Sequence, residues 1–302
     1  MNHFSHLPKK VSIPENKSMK ILFLALMLFS SVLWAENSLT LYILPSPKGI
    51  DWSSPKKLLK SMIKNRWEKN HRFMGHVFVG LKCEGEEQLT GMSVKNFNYL
   101  SELILNNRGF GILYHSFQGR IENGNEIRPE LDSYLDEGTI NFSQFLLSSS
   151  NCQRIQNYLE EFKKFNIDKN YGLAHKPLYG EGSGCSAFGV SFLEVADILD
   201  QELKDEWSNY INIPPTLAGP PLRDEGVSLF KIFFADLNWA KENQDHIKLT
   251  FWDPDKMFQW VNKKINNPAM GTNIIQIKQS KGIQIDKTLW PTPQKPIWKK
   301  NH

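Results

Sequence analysis

Apolar and polar positions alternate over Ser38–Leu44, and Pro45-Ser46-Pro47 ends the run, which predicts a β-strand. From Ser53 and Ser54 the period changes. Leu58, Leu59, Met62 and Ile63 fall on one face of a helix that opens at Pro55 and reaches about Glu68. Strand patterns return over Phe73–Lys82 and Gln88–Met92, joined by the turn Glu84-Gly85-Glu86. Tyr99–Asn106 reads as a helix, and Gly111–His115 with Arg120–Glu122 as a hairpin about Phe117-Gln118-Gly119. Gly138–Leu147 predicts a further strand. It leads into a helix from Asn151 to about Phe165 with Cys152, Ile155, Tyr158, Leu159 and Phe162 on its apolar face.

Residues 166–184 form a loop rich in Gly and Tyr. Cys185 then opens a helix to about Leu203 that is apolar on most sides, as a buried central helix should be. The stretch Asn212–Leu222 holds four prolines and separates a second part. There Ser228–Lys241 reads as helix, Ile247–Trp252 as strand, and Asp253-Pro254 as the cap of a helix to about Ile265. Thr272–Lys278 and Gly282–Ile285 read as strands, and the tail Trp290–His302 as poorly ordered or draped on the surface. Antiparallel hairpins mixed with separate helices predict an α+β fold. The expected organisation is a core over 36–211 and a C-terminal extension over 212–302.

With 40% hydrophobic and 23% charged residues, the 302-residue chain is able to bury a sizeable core, which excludes a mainly disordered or collagen-like protein. The charge is unevenly placed. Lys9, Lys10, Lys17 and Lys20 against Glu15 account for +3 of the formal net charge of +4. The body is close to neutral, so no nucleic-acid partner is expected. The basic start precedes the apolar run Ile21–Phe29 and a small residue, Ala35, before Glu36. That pattern predicts a secretory signal peptide over 1–35 and a periplasmic or secreted mature chain with no membrane-spanning segment. Met19 just before Lys20 leaves residues 1–18 as a long basic region or a misassigned start; an uncleaved anchor is the alternative.

Chemistry concentrates at a few positions. The three cysteines are Cys83, Cys152 and Cys185, so in an oxidising compartment at least one thiol stays free or pairs with another molecule. Two buried thiols are expected at Cys83 and Cys152, with a bridge between them as the alternative. Cys185 follows Gly180-Glu181-Gly182-Ser183-Gly184 and begins a helix, where unpaired N–H groups and the helix dipole favour a thiolate. The same N–H groups suit an oxyanion. A nucleophilic cysteine needs a base. His76, in the apolar strand Met74-Gly75-His76-Val77-Phe78, is the leading candidate, with His175 of the loop before Cys185 in reserve.

A Gly-His-Val strand followed by a hairpin, and much later a Cys opening an apolar helix, resembles the circularly permuted NlpC/P60 group of papain-like proteins, which includes lecithin–retinol-acyltransferase-like enzymes. The resemblance covers about residues 70–200. It implies a papain-like core with an antiparallel sheet on a central helix, Cys185 as nucleophile and His76 as base. It also implies a polar orienting residue on the next strand, about a dozen residues on, where Gln88 stands and Thr90 is the same-face alternative.

Other motifs contribute little. The Gly-rich loop lacks the Lys-Ser/Thr of a phosphate-binding loop, and there is no G-x-S-x-G, C-x-x-C or H-E-x-x-H, so neither cofactor nor dedicated zinc site is expected. The expected function is an exported cysteine hydrolase cleaving an amide through an acyl-enzyme, with cell-wall peptide implied as substrate by the resemblance. The alternatives are a non-catalytic envelope protein of the same fold and a lipid-ester acyltransferase.

Overall fold

The computed structural model describes residues 36–66, 72–95, 106–234 and 237–299. The expected signal peptide lies outside these residues, as does nearly all of the helix expected over Tyr99–Asn106. From Glu36 onward the chain is a single unit. It is α+β, with ten strands and seven α-helices among the described residues. Eight strands make one sheet, in the order Asn170–Tyr171 (β6), Phe117–Asn123 (β4), Glu86–Val94 (β3), His76–Cys83 (β2), Ser38–Leu44 (β1), Asn141–Leu147 (β5), Ser280–Lys287 (β10) and Thr272–Ile277 (β9). All neighbours are antiparallel except β5 and β10. Strands Ser208–Ile213 (β7) and Ile247–Trp252 (β8) pair separately.

Strand β1 is central because each of its faces carries apolar side chains, and every one of its residues is buried. Leu39, Leu41 and Ile43 join Val77, Val79 and Leu81 of β2 in the main core. Onto that face pack the helices Ser149–Lys164 (α3) and Cys185–Val195 (α4), through Ile155, Tyr158, Phe162, Phe188 and Phe192. Tyr42, Leu44 and Phe78 point the other way and meet helix Gly124–Glu137 (α2) through Ile127, Leu131 and Leu135. Alternation along the strands thus builds two cores from one sheet. A third core gathers Pro55–Arg66 (α1), β7, β8 and Leu229–Phe234 (α6).

Helix α2 has no counterpart among the expected elements. Asn123-Gly124-Asn125 resembles a turn, yet the Asn123 side chain accepts hydrogen bonds from Asn125 N and Glu126 N and caps the helix. The expected hairpin about Phe117-Gln118-Gly119 is also absent. Residues Phe110–Tyr114 form a 3₁₀ turn, and Phe117–Asn123 is one continuous strand paired with β3. The long helix from Cys185 stops at Val195 because Asp197 adopts a positive φ of 58°, and Asp200 caps a separate helix, Gln201–Trp207 (α5).

The expected boundary after residue 211 falls inside β7. Residues beyond it complete the sheet: β10 pairs with β5, and helix Pro254–Asn266 (α7) packs on β1, β5 and β10. The extension is therefore integral to the core. Its tail is held too, with Trp298 Nε1 donating to Glu161 at 2.5 Å and Lys299 N to Leu178 O at 2.8 Å.

The expectation of two buried thiols is corrected. Cys83 at the end of β2 and Cys152 on α3 are disulfide-bonded, with Cα atoms 5.8 Å apart, and Cys185 is the free cysteine. Strand β2 and helix α3 face each other across the main core, which brings the two side chains within bridging distance. No helix among the described residues is long and apolar enough to cross a membrane.

Candidate active site

Cys185 is the first residue of α4, after Gly184 as an N-cap with no side-chain capping bond. The first-turn N–H groups are therefore not taken by a capping side chain. Helix α4 sits unusually close to β2. A Cβ on Gly189, one turn beyond Cys185, would lie 2.8 Å from Val77 Cγ1 and 3.4 Å from Leu41 Cδ2. Glycine at that position allows the helix end, and the thiol on it, to reach the start of β2.

The start of β2 is His76, 3% exposed, which lines the same cavity as Cys185 and interacts with its thiol electrostatically. On its other side His76 Nε2 meets Glu122 Oε2 at 3.0 Å, which leaves Nδ1 as the ring nitrogen for the thiol. Glu122 is also 3% exposed and comes from β4. The register explains how it reaches the ring: Phe78 pairs with Gly91, and Gly91 with Glu122, so strand β3 lies between them. Gly91 has no side chain to obstruct the contact. A Cβ there would stand 3.0 Å from Glu122 Oε2 and 3.8 Å from His76 Nε2.

Gln88 does not reach the imidazole. It pairs with Leu81 near the hairpin turn and is exposed. Five residues of strand separate Leu81 from His76, about 17 Å of rise. Counting a dozen residues forward ignores that a hairpin folds back, which places Ser93 and not Gln88 beside His76 when the register is continued. Thr90 pairs with Val79 and is buried away from the ring, with a hydroxyl that has no partner among the described residues. Glu122 occupies the position expected of Gln88.

Tyr171 of β6 is a second group missing from the sequence expectations. Its hydroxyl favours the charged form of the Cys185 thiol, and both residues line one cavity. Arg72, just before β2, holds the outer oxygen of Glu122, with Nη2 2.6 Å from Oε1. His175, the reserve base, serves the loop instead. Its ring fills the space that Cβ atoms on Gly172 and Gly182 would take, at 2.9 and 2.6 Å.

Electrostatics favour an ion pair. Burial pushes the Cys185 thiol up, but the charge of His76 and hydrogen bonds from His76, Tyr171 and the Val77 backbone bring it down to about 7. Burial and the Arg72 charge oppose protonation of His76. The thiolate charge and the bonds to Cys185 and Glu122 outweigh them and raise its pKa. Burial likewise acts against the Glu122 carboxylate, yet His76 and Arg72 hold it at about 2. In their charged forms Cys185, His76, Glu122 and Arg72 alternate in sign.

The thiol and imidazole open onto a cavity of about 410 Å³. Trp52, Phe73, Met74, Leu113, Phe117 and Phe251 supply most of its apolar wall, and Arg72, Arg120, Glu122 and Glu130 its polar one. Among the described residues no three metal-ligating side chains converge. Such an arrangement is able to attack an electrophilic carbonyl and shuttle one proton. Comparisons with protein-family models, curated proteins and solved structures return no match.

Proposed function

We propose that this chain is an exported cysteine hydrolase, built on the permuted NlpC/P60 papain-like plan, that cleaves an amide or ester through an acyl-enzyme. One observation carries the reading: Cys185, which opens a helix, and His76 share the wall of one cavity and favour each other's charged form, and His76 Nε2 lies 3.0 Å from the buried carboxylate of Glu122. The Cys185 thiolate attacks the substrate carbonyl, forming a C–S bond and moving the π electrons onto oxygen. The α4 N–H groups face that oxyanion. His76 gives its proton to the leaving nitrogen or oxygen as the tetrahedral centre collapses to a thioester. Neutral His76 then takes a proton from water, whose oxygen attacks the thioester and releases the acid and the thiolate. Glu122 stabilises the imidazolium at both ends of this cycle.

The apolar wall suits a substrate with an apolar body beside the scissile bond better than a highly charged cell-wall peptide. A lipid ester or an amide of an apolar acyl group fits that description. The Cys83–Cys152 bridge supports export, because such bridges persist in oxidising compartments. The test uses the purified chain with p-nitrophenyl esters and acyl anilides of increasing chain length. Hydrolysis, with an acyl adduct on Cys185 by mass spectrometry, is expected, and loss of at least about 100-fold in Cys185→Ser and His76→Ala. If no ester or anilide turns over and iodoacetamide labels Cys185 no faster than a free cysteine, the chain is a non-catalytic protein of this fold.

A further inference from the structure

Arg72 lies between two carboxylates. Its Nη2 donates to Glu122 Oε1 at 2.6 Å and to Glu130 Oε2 at 2.9 Å, while Nε donates to Glu130 Oε1 at 3.1 Å. The guanidinium also covers the Phe78 ring, 5.3 Å from its centroid. Glu130 belongs to α2, on the opposite face of the sheet from α4, and accepts a further bond from Tyr134 at 3.2 Å. A chain of charged contacts therefore runs from α2 through Glu130, Arg72, Glu122 and His76 to Cys185.

Glu122 has two oxygens and two cationic partners. His76 uses Oε2 and Arg72 uses Oε1, so the arginine determines how the carboxylate plane presents itself to the ring. A buried carboxylate beside one imidazolium alone is free to rotate or to take up a proton. The bidentate fork on Glu130 fixes Arg72 in turn, which a lysine is unable to reproduce. We infer that Arg72, anchored by Glu130, is a positioning residue for the catalytic pair. It holds Glu122 as a correctly oriented anion behind His76.

This inference rests on the hydrolase reading, but its test does not need a substrate. The ionisable groups around Cys185 and His76 are Arg72 from the segment before β2, Glu122 from β4, Glu130 from α2 and Tyr171 from β6. Arg120 and Asp253 also line the cavity. Removing Arg72 has two opposed effects: it takes away a charge that opposes protonation of His76, and it releases the Glu122 carboxylate that favours it. The positioning role requires the second to dominate, so that His76 supports the thiolate less.

The experiment follows the rate of Cys185 alkylation by iodoacetamide against pH in the full chain, with thermal melting recorded in parallel. For Arg72→Met the acid limb is expected to move up by about one pH unit or more. Arg72→Lys restores much of that shift while any hydrolysis stays at least about tenfold below wild type in kcat, because charge returns without the fork. Glu130→Gln, at a partly exposed position, gives a smaller shift in the same direction and serves if Arg72→Met does not fold. A wild-type profile like that of an ordinary thiol overturns the hydrolase reading itself. A depressed wild-type limb that Arg72→Met and Glu130→Gln leave in place, whatever happens to the melting temperature, overturns the positioning role and leaves a structural clamp.

Discussion

Gly189 of α4 rests directly on Val77 of β2, with room for no Cβ between them. Cys185 lies one helical turn before Gly189, and His76 immediately before Val77, so the packing of this apolar pair sets the spacing of the polar one. Gly189→Ala pushes the helix off the strand. Overpacking costs about 1–3 kcal/mol, offset by about 1 kcal/mol of better helix propensity. A net loss near 1 kcal/mol is expected in urea unfolding, with slower alkylation of Cys185. Unchanged stability and reactivity would show that the helix position is not set here.

Glu122 gives a pH signature. Its carboxyl is held at about 2, below its ordinary value of 4.5, so its contribution to stability is complete above about pH 4.5. It is lost as pH falls toward 2, and amounts to roughly 3 kcal/mol. Glu122→Gln keeps a group able to orient the ring but removes the charge that stabilises imidazolium. Acid denaturation curves should flatten over that window, and hydrolysis should fall at least about tenfold. An acid-unfolding curve that matches wild type would refute the buried ion pair.

Tyr171→Phe removes only the hydroxyl that favours the Cys185 thiolate. The thiol then loses one group that favours its charged form, so the midpoint of the alkylation profile rises above that of the wild type. Melting should change little, because the ring remains in place. A profile identical to wild type would remove Tyr171 from the site.

Cysteine counting tests the bridge. The unfolded, unreduced chain should bind one equivalent of alkylating agent and the reduced chain three. The bridge closes a sequence separation of 69 residues, so its reduction should cost about 4 kcal/mol in the chain-entropy account. Three reactive thiols without reductant would contradict the pairing.

How far this site was legible from the amino-acid order follows from how far apart its parts are. Cys185 and His76 each carry a local signal: a Gly-rich loop before an apolar helix, and a lone histidine in an apolar strand. The central strand β1 and the helix capped at Asp253 are readable for the same reason, because period and capping are properties of neighbouring residues. Ile127, Leu131 and Leu135 also marked helix α2, but Asn-Gly-Asn and Pro129 within it obscured the pattern.

Glu122, Tyr171 and Arg72 carry no such mark. Each is an ordinary polar residue until register and packing bring it to the pair, and Gln88 shows the consequence of estimating register by counting. The pairing of Cys83 with Cys152 and the joining of β9 and β10 to the main sheet are of the same kind. By itself the order of residues determined the α+β class, most of the elements and the choice of Cys185 and His76, which the fold brings to one cavity. Only the tertiary structure decided which carboxylate, phenol and guanidinium surround that pair, because their positions depend on contacts between residues far apart in the chain.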